Sequence, residues 1–175
     1  MHKLHEFFLT FFYSGKAKKA PGTFGSLAAL IFWFCLTKWF FVAEISLISQ
    51  NIFWTIFLIL AFIYGCAAIT TYTKKFDRID HQTIVLDEVV GQILPLQITF
   101  LLLHENYFSQ INIIAIQLTF CFVAFRFFDI KKPSFIGYAD RHFKSGFGVM
   151  FDDLLCGIIV AFLGFLFFKL TLMIG

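Results

Sequence analysis

Residues 45–73 read ISLISQNIFWTIFLILAFIYGCAAITTYT, 29 residues without one charged side chain. A run of this length and apolarity is expected to cross a bilayer as a helix, because about 20 apolar residues span the hydrocarbon core. Four further uncharged runs lie around it: Ala20–Thr37, Val89–His104, Asn106–Phe125 and Leu154–Phe168. The first extends past Lys38, whose aliphatic stem can reach an interface. The last extends past Lys169 to Ile174. The third is short unless Asp87 and Glu88 sit at its mouth. The expectation is an all-α, polytopic transmembrane bundle of about five spans, with four the alternative count, forming one unit over 1–175. Alternating strands are too few to close a barrel.

Composition agrees with the runs. Of the 175 residues, 59% are apolar and 14% are charged, with 28 Phe and a mean hydropathy of +0.83. A soluble domain carries about 25% charged residues, and a soluble fold of this size would expose large adhesive patches. Disorder, collagen, coiled coil and a disulfide scaffold are excluded on the same grounds. A net charge of +3, with no basic stripe interleaved with aromatics, argues against a nucleic-acid partner.

Orientation follows from the loops. Alternating the five spans puts 1–19, 74–88 and 126–153 on one side, with 12 of the 14 Lys and Arg residues. The positive-inside rule makes that side cytoplasmic. Nine of the 11 acids fall on the same side. The rule concerns cations only, so acids crowded there point to a site. The N-terminal segment has one apolar stretch, Phe7–Tyr13, too short to span and without a cleavage site. It reads as interfacial.

Three polar segments carry candidate chemistry. In Lys19-Ala-Pro-Gly-Thr-Phe-Gly-Ser26, Pro21 and Gly22 make a turn, and Thr23 or Ser26 can cap the helix that follows. Gly22 and Gly25 allow backbone amides to approach a ligand, and a helix N-terminus beside lysines favours phosphate. A plain capped helix start is the competing reading. In Asp80-His-Gln-Thr-Ile-Val-Leu-Asp87-Glu88-Val-Val-Gly91, two adjacent acids open an apolar helix. They point about 100° apart, so both cannot face lipid. A functional pair and an interfacial salt bridge are both open. In the third segment, Asp129 closes one span, Pro133 stops the helix, and Asp152 and Asp153 open the next. Acids from two helix mouths and a loop can thus meet at one depth. Hard oxygen donors suit Mg²⁺, which bridges to substrate phosphate. Arg126, Lys132, Arg141 and Lys144 lie near enough in sequence to hold phosphate oxygens.

The four cysteines, Cys35, Cys66, Cys121 and Cys156, sit in apolar runs without CxxC spacing and read as buried small hydrophobes. The five histidines are scattered and read as interfacial polar residues. Ala61xxxGly65 and Gly157xxxAla161 suit close helix packing, as does plain membrane filler.

Three blocks, in order, now carry a resemblance: Ala20-Pro-Gly-Thr-Phe-Gly-Ser-Leu27, Ile84-Val-Leu-Asp-Glu-Val-Val-Gly91, and Phe125-Arg-Phe-Phe-Asp-Ile-Lys-Lys-Pro133 through Gly146-Phe-Gly-Val-Met-Phe-Asp-Asp153 to Gly157. The chain resembles phosphatidylglycerophosphatase A, a bacterial integral-membrane lipid phosphatase. The resemblance implies Mg²⁺-dependent removal of the terminal phosphate from phosphatidylglycerophosphate. It maps the family's acidic positions onto Asp87, Glu88, Asp129, Asp152 and Asp153, and its basic ones onto Arg126 and Lys132. The chain departs from the family at His81, often Pro, and Thr83, often Glu. The expected mechanism is attack by a metal-activated water, with Asp87, Asp129, Asp152 and Asp153 as metal-ligand candidates and Glu88 as ligand or general base. Arg126, Lys132 and Lys144 would neutralise phosphoryl charge, and the Gly22, Thr23, Gly25 and Ser26 turn would hold the second phosphate.

Two rivals lose ground on sequence. A CDP-alcohol phosphotransferase needs a DGxxAR…GxxxDxxxD run, and here Asp152 and Asp153 are adjacent. A metal or ion transporter would spread its acids through the bilayer depth, and would commonly show internal repeats. The sequence sets no oligomeric state.

Overall fold

A computed structural model of the chain describes residues 2–75, 83–104, 107–133 and 145–174. Among the described residues there are six α-helices and no strand: α1 His2–Leu9, α2 Pro21–Val42, α3 Leu47–Lys75, α4 Leu86–Leu103, α5 Ile111–Lys131 and α6 Gly146–Ile174. Short 3₁₀ turns cover Ser14–Lys16 and Tyr107–Ser109. Five of the helices, α2 to α6, are long and apolar enough to cross a membrane. Rings and aliphatic chains such as Ile31, Ile56, Ile63, Val123 and Phe162 face outward, which only a lipid environment favours for so many at once.

The start of the last span differs from the sequence reading. The last span begins at Gly146, not near Leu154, so Asp152 and Asp153 stand in the second turn of α6 instead of opening it. A carboxylate does not end a helix, and the apolar residues Phe147, Val149, Met150 and Phe151 carry the pattern back to Gly146. The start is tied by the Gly146 amide, which donates to Thr70 Oγ1 at 3.1 Å, and by the Val149 amide, which donates to Ser145 O at 3.2 Å. The third run does reach back to include Asp87 and Glu88, in the first turn of α4.

Helix α4 is the central post. Its span is 67% buried, against 22–33% for the other four. It makes its most extensive contact with α6, and glycines explain how close that contact is. Pro95 lies inside α4, has no N–H, and so leaves the carbonyl four residues earlier, Gly91 O, without its helical donor. Gly157 of α6 backs onto that carbonyl: a Cβ on Gly157 would stand 2.5 Å from Gly91 O. Two turns nearer the start of α6, a Cβ on Gly65 of α3 would overlap Met150 Sδ. The Gly65 and Gly157 members of the two small-residue pairs therefore sit at helix contacts.

Polar side chains inside the bundle cross-link helices. Trp33 Nε1 donates to Gln97 Oε1 at 3.0 Å, and Gln97 Nε2 donates to Asn51 Oδ1 at 2.6 Å, joining α2, α4 and α3. Gln117 of α5 donates to Leu96 O at 2.9 Å and Thr99 Oγ1 at 2.8 Å, and accepts from the Tyr107 hydroxyl. Burial raises the Tyr107 hydroxyl pKa, which keeps it a donor.

The N-terminal segment is more than an interfacial strip. Leu4, Phe8, Phe12 and Tyr13 are exposed, but Leu9 and Phe11 are buried. The Val85 amide donates to Leu9 O at 3.0 Å, so the segment braces the residues just before Asp87. Of the cysteines, Cys121 and Cys156 are buried, Cys66 is half-buried and Cys35 is exposed. The expectation for Cys35 fails because its position on α2 faces outward, where a thiol is as compatible with lipid as with a core.

Candidate active site

At the end of the bundle where α2, α4 and α6 begin and α5 stops, ionisable side chains converge from three helices, α4, α5 and α6. Asp87 and Glu88 come from the first turn of α4, where a helix N-terminus favours negative charge. Asp153 comes from α6. One carboxylate oxygen of each lies within 4.8 Å of the others. What brings them together is the absence of a side chain at Gly91: a Cβ there would stand 2.5 Å from Phe125 Cε2 and 2.6 Å from Asp153 O. Glycine thus lets α5 and the Asp153 backbone close on α4 one turn below the acids.

Two ion pairs flank this trio. Arg126 Nη1 sits 2.6 Å from Asp129 Oδ2, one turn along α5, and donates to Ser26 Oγ at 3.3 Å. Lys132 Nζ sits 2.5 Å from Asp152 Oδ2. Lys132 occupies the left-handed C-cap of α5, and its amide donates to Phe128 O at 2.8 Å. That conformation, just before Pro133, turns the chain off the helix axis. Asp129 is close enough to interact electrostatically with Asp87, Glu88 and Asp153. The five acids therefore divide: Asp129 and Asp152 sit in ion pairs with cations, while Asp87, Glu88 and Asp153 gather on one another.

The trio is also short of hydrogen bonds. Asp87 Oδ1, Glu88 Oε2 and Arg126 Nε are enclosed with no hydrogen-bond partner. A buried carboxylate oxygen without a donor is costly, and three carboxylates held this close demand positive charge. As an all-oxygen set, with free lone pairs turned inward, they fit a hard divalent cation such as Mg²⁺. The guanidinium beside them fits an anion's oxygens.

The first polar segment is placed differently from its expected use. No side chain caps α2. Ala20 takes the left-handed N-cap conformation and Pro21 follows, while the amides of Thr23 and Phe24 donate to Ala20 O at 3.0 and 3.3 Å. Ser26 does not cap either: its hydroxyl donates to Gly22 O at 2.9 Å and accepts from Arg126. The two glycines make room for protein. A Cβ on Gly22 would overlap Glu88 Oε1 and stand 3.2 Å from Arg126 Nη1, and one on Gly25 would press on Val85. The segment thus contacts the site through the side chains of Glu88 and Arg126. Thr23 is half-buried at its edge. Lys144, Arg141, Asp140, Asp80 and His81 lie outside the described residues.

One residue beside the site was not singled out as a site candidate from sequence. Gln92 follows Glu88 by one turn, is 0% exposed, and has both amide atoms without a partner. Its i+4 spacing from Glu88 was the available signal.

Comparison with known proteins agrees with the architecture. The phosphatidylglycerophosphatase A family model matches residues 7–168. The phosphatidylglycerophosphatase A of Haemophilus influenzae is 37% identical over 84% of this chain and 78% of its own. That of Escherichia coli K12 is 32% identical over 90% of this chain and 78% of its own. A Bacteroides thetaiotaomicron protein, provisionally named a phosphatidylinositol-3-phosphatase, is 32% identical over 85% of this chain and 84% of its own. No solved structure matches the chain. With a match over nearly its whole length, onto a five-span bundle with acids at one end, the chain belongs to the phosphatidylglycerophosphatase A family of phosphatase enzymes.

Proposed function

We propose that this protein hydrolyses the terminal phosphate of phosphatidylglycerophosphate, giving phosphatidylglycerol and inorganic phosphate, with Mg²⁺ held by Asp87, Glu88 and Asp153. The observation that carries the reading is the convergence of those three carboxylates within 4.8 Å, beside the guanidinium of Arg126, at a helix-end level where a lipid head group resides. The acid- and cation-rich end faces the cytoplasm of the bacterial inner membrane, where the enzyme completes phosphatidylglycerol synthesis.

Bound Mg²⁺ supplies Lewis-acid polarisation of the phosphoryl group and neutralises its charge. The chain's own groups do the rest. Arg126 grips the phosphoryl oxygens, and Asp129 and Ser26 fix its plane. Lys132, aimed by Asp152, offsets charge that grows on the equatorial oxygens as the bond to glycerol lengthens. Glu88 takes a proton from the attacking water. The Gly22–Ser26 turn borders the second, diester phosphate. Enclosure strengthens each of these interactions, because few waters screen them.

The test is phosphate release from phosphatidylglycerophosphate by the detergent-solubilised protein, with Mg²⁺ and with EDTA, beside phosphatidylinositol-3-phosphate as a second substrate. The expected result is Mg²⁺-dependent release that prefers phosphatidylglycerophosphate. Equal release in EDTA overturns the metal assignment, and preference for the inositol lipid overturns the substrate.

A further inference from the structure

Three glutamines of this bundle have fully or almost fully buried side chains on α4 and α5, and they are treated differently. Gln97 is held by Trp33 and Asn51. Gln117 is held by Leu96 O, Thr99 and Tyr107. Gln92 is 0% exposed, and neither its Oε1 nor its Nε2 has a partner. Thr37, Gln50 and Trp54 each leave one atom unpaired, and they belong to the opposite end, where α2 stops and α3 starts. Gln92 alone, among the described residues, leaves a whole carboxamide unpaired. It does so one turn from Glu88, whose Oε2 is also unpaired. Residues four apart on a helix share a face, with Cβ atoms about 5–6 Å apart. Unpaired buried polar groups are expensive, and neighbouring ones are relieved together by a single guest. The polar site therefore continues one turn, about 6 Å, deeper into the membrane than the carboxylates.

We infer that Gln92 forms the floor of the active site and, with Glu88, holds the attacking water. The inference rests on the phosphatase reading above and adds a residue to it. Phosphoryl transfer is roughly in line, so the attacking and leaving oxygens lie on opposite sides of phosphorus. The leaving oxygen belongs to the lipid's glycerol, which stays toward the mouth with the rest of the molecule. The attacking oxygen must then come from the floor, at the level of Gln92. A water donating one hydrogen to Glu88 Oε2 and the other to Gln92 Oε1 has its lone pair turned to the phosphate. As the new oxygen–phosphorus bond forms, the phosphorus–oxygen bond to glycerol breaks. The water's proton passes to Glu88 and from there to solvent, and the departing glycerol oxygen, on the far side of phosphorus, takes a proton from solvent at the mouth. One water is consumed, and one alcohol and one inorganic phosphate leave. Gln92 Nε2 remains to donate to a phosphoryl oxygen.

The decisive variant is Gln92→Met, which keeps length and removes the amide, with Gln92→Asn withdrawing the amide by one methylene. Phosphate release and the thermal midpoint of the metal-free, detergent-solubilised protein are measured for each. The expected result is a kcat at least about tenfold lower in both, with KM within about twofold. The midpoint of Gln92→Met is expected to be unchanged or higher, since the substitution removes an unpaired buried group. Wild-type kcat in either variant overturns the inference. So does a lowered kcat accompanied by a lowered midpoint in Gln92→Met, which marks a structural role. A wild-type protein that releases no phosphate with any divalent metal overturns the phosphatase reading itself.

Discussion

Gly22 carries no side chain because Glu88 and Arg126 fill the space one would take. A single methyl there collides with the Glu88 carboxylate and crowds the guanidinium, which pushes two site groups out of register without touching the fold's core. Misplacement of reacting groups by about 1 Å is worth about 10²-fold in rate, so Gly22→Ala is predicted to lose activity on that scale. Urea or thermal unfolding in detergent should move by no more than about 1–3 kcal/mol, the range for local overpacking. Wild-type turnover in Gly22→Ala would contradict the placement of Glu88. At this scale the sequence was half legible. Adjacent acids at the mouth of a span announce themselves, because charge there is rare. Which acids face each other and which face cations is decided by side-chain direction on three separate helices. Asp152 and Asp153 are neighbours in sequence, yet one meets Lys132 and the other joins Asp87 and Glu88.

The elements work through their closest approaches. Pro95 frees Gly91 O, and Gly157 lets α6 lie against it, so α4 and α6 are locked one turn below the acids they carry. The atom a Gly157 Cβ would meet is backbone, which cannot swing aside. Gly157→Ala is therefore predicted to destabilise the protein by about 1–3 kcal/mol. It should also separate Asp153 from Asp87 and lower phosphate release more than stability alone accounts for. Differential unfolding and activity on the same preparation measure both, and an unchanged midpoint would contradict the packing. Apolar runs without charge made all five spans readable in advance. The start of α6 was missed because two aspartates look like the end of an apolar segment, whereas inside a bundle they point into a polar pocket and the helix runs through. The cap of α2 was missed for a similar reason: Thr23 and Ser26 are good capping residues, but Ala20 and Pro21 already turn the chain, and Ser26 is used by Arg126.

For the whole molecule, the spans alternate so that the first turns of α2, α4 and α6 and the last turn of α5 share one end. The 12-of-14 bias of Lys and Arg to the sequence segments on that side of the spans is what supports the proposed cytoplasmic orientation. In a cysteine-free background, Lys18→Cys should react with a membrane-impermeant maleimide only after the cytoplasmic face is opened, and Ser46→Cys should react in intact spheroplasts. The reverse pattern would contradict the orientation. The gathering of scarce charge on one end was visible from sequence alone; its resolution into a carboxylate trio, two ion pairs and a glutamine floor needed the packing of four helices. In the proposed mechanism Asp87, Glu88 and Asp153 form one cation site that serves the reaction. Its most direct test is a Mg²⁺ titration that follows the thermal midpoint and phosphate release from phosphatidylglycerophosphate in wild type, Asp87→Asn, Glu88→Gln and Asp153→Asn. Mg²⁺ is expected to raise the wild-type midpoint and switch on release. In each variant the saturating Mg²⁺ concentration should rise or saturation should be lost, with turnover down by about 10² or more. Wild-type Mg²⁺ dependence and turnover in all three variants would contradict it.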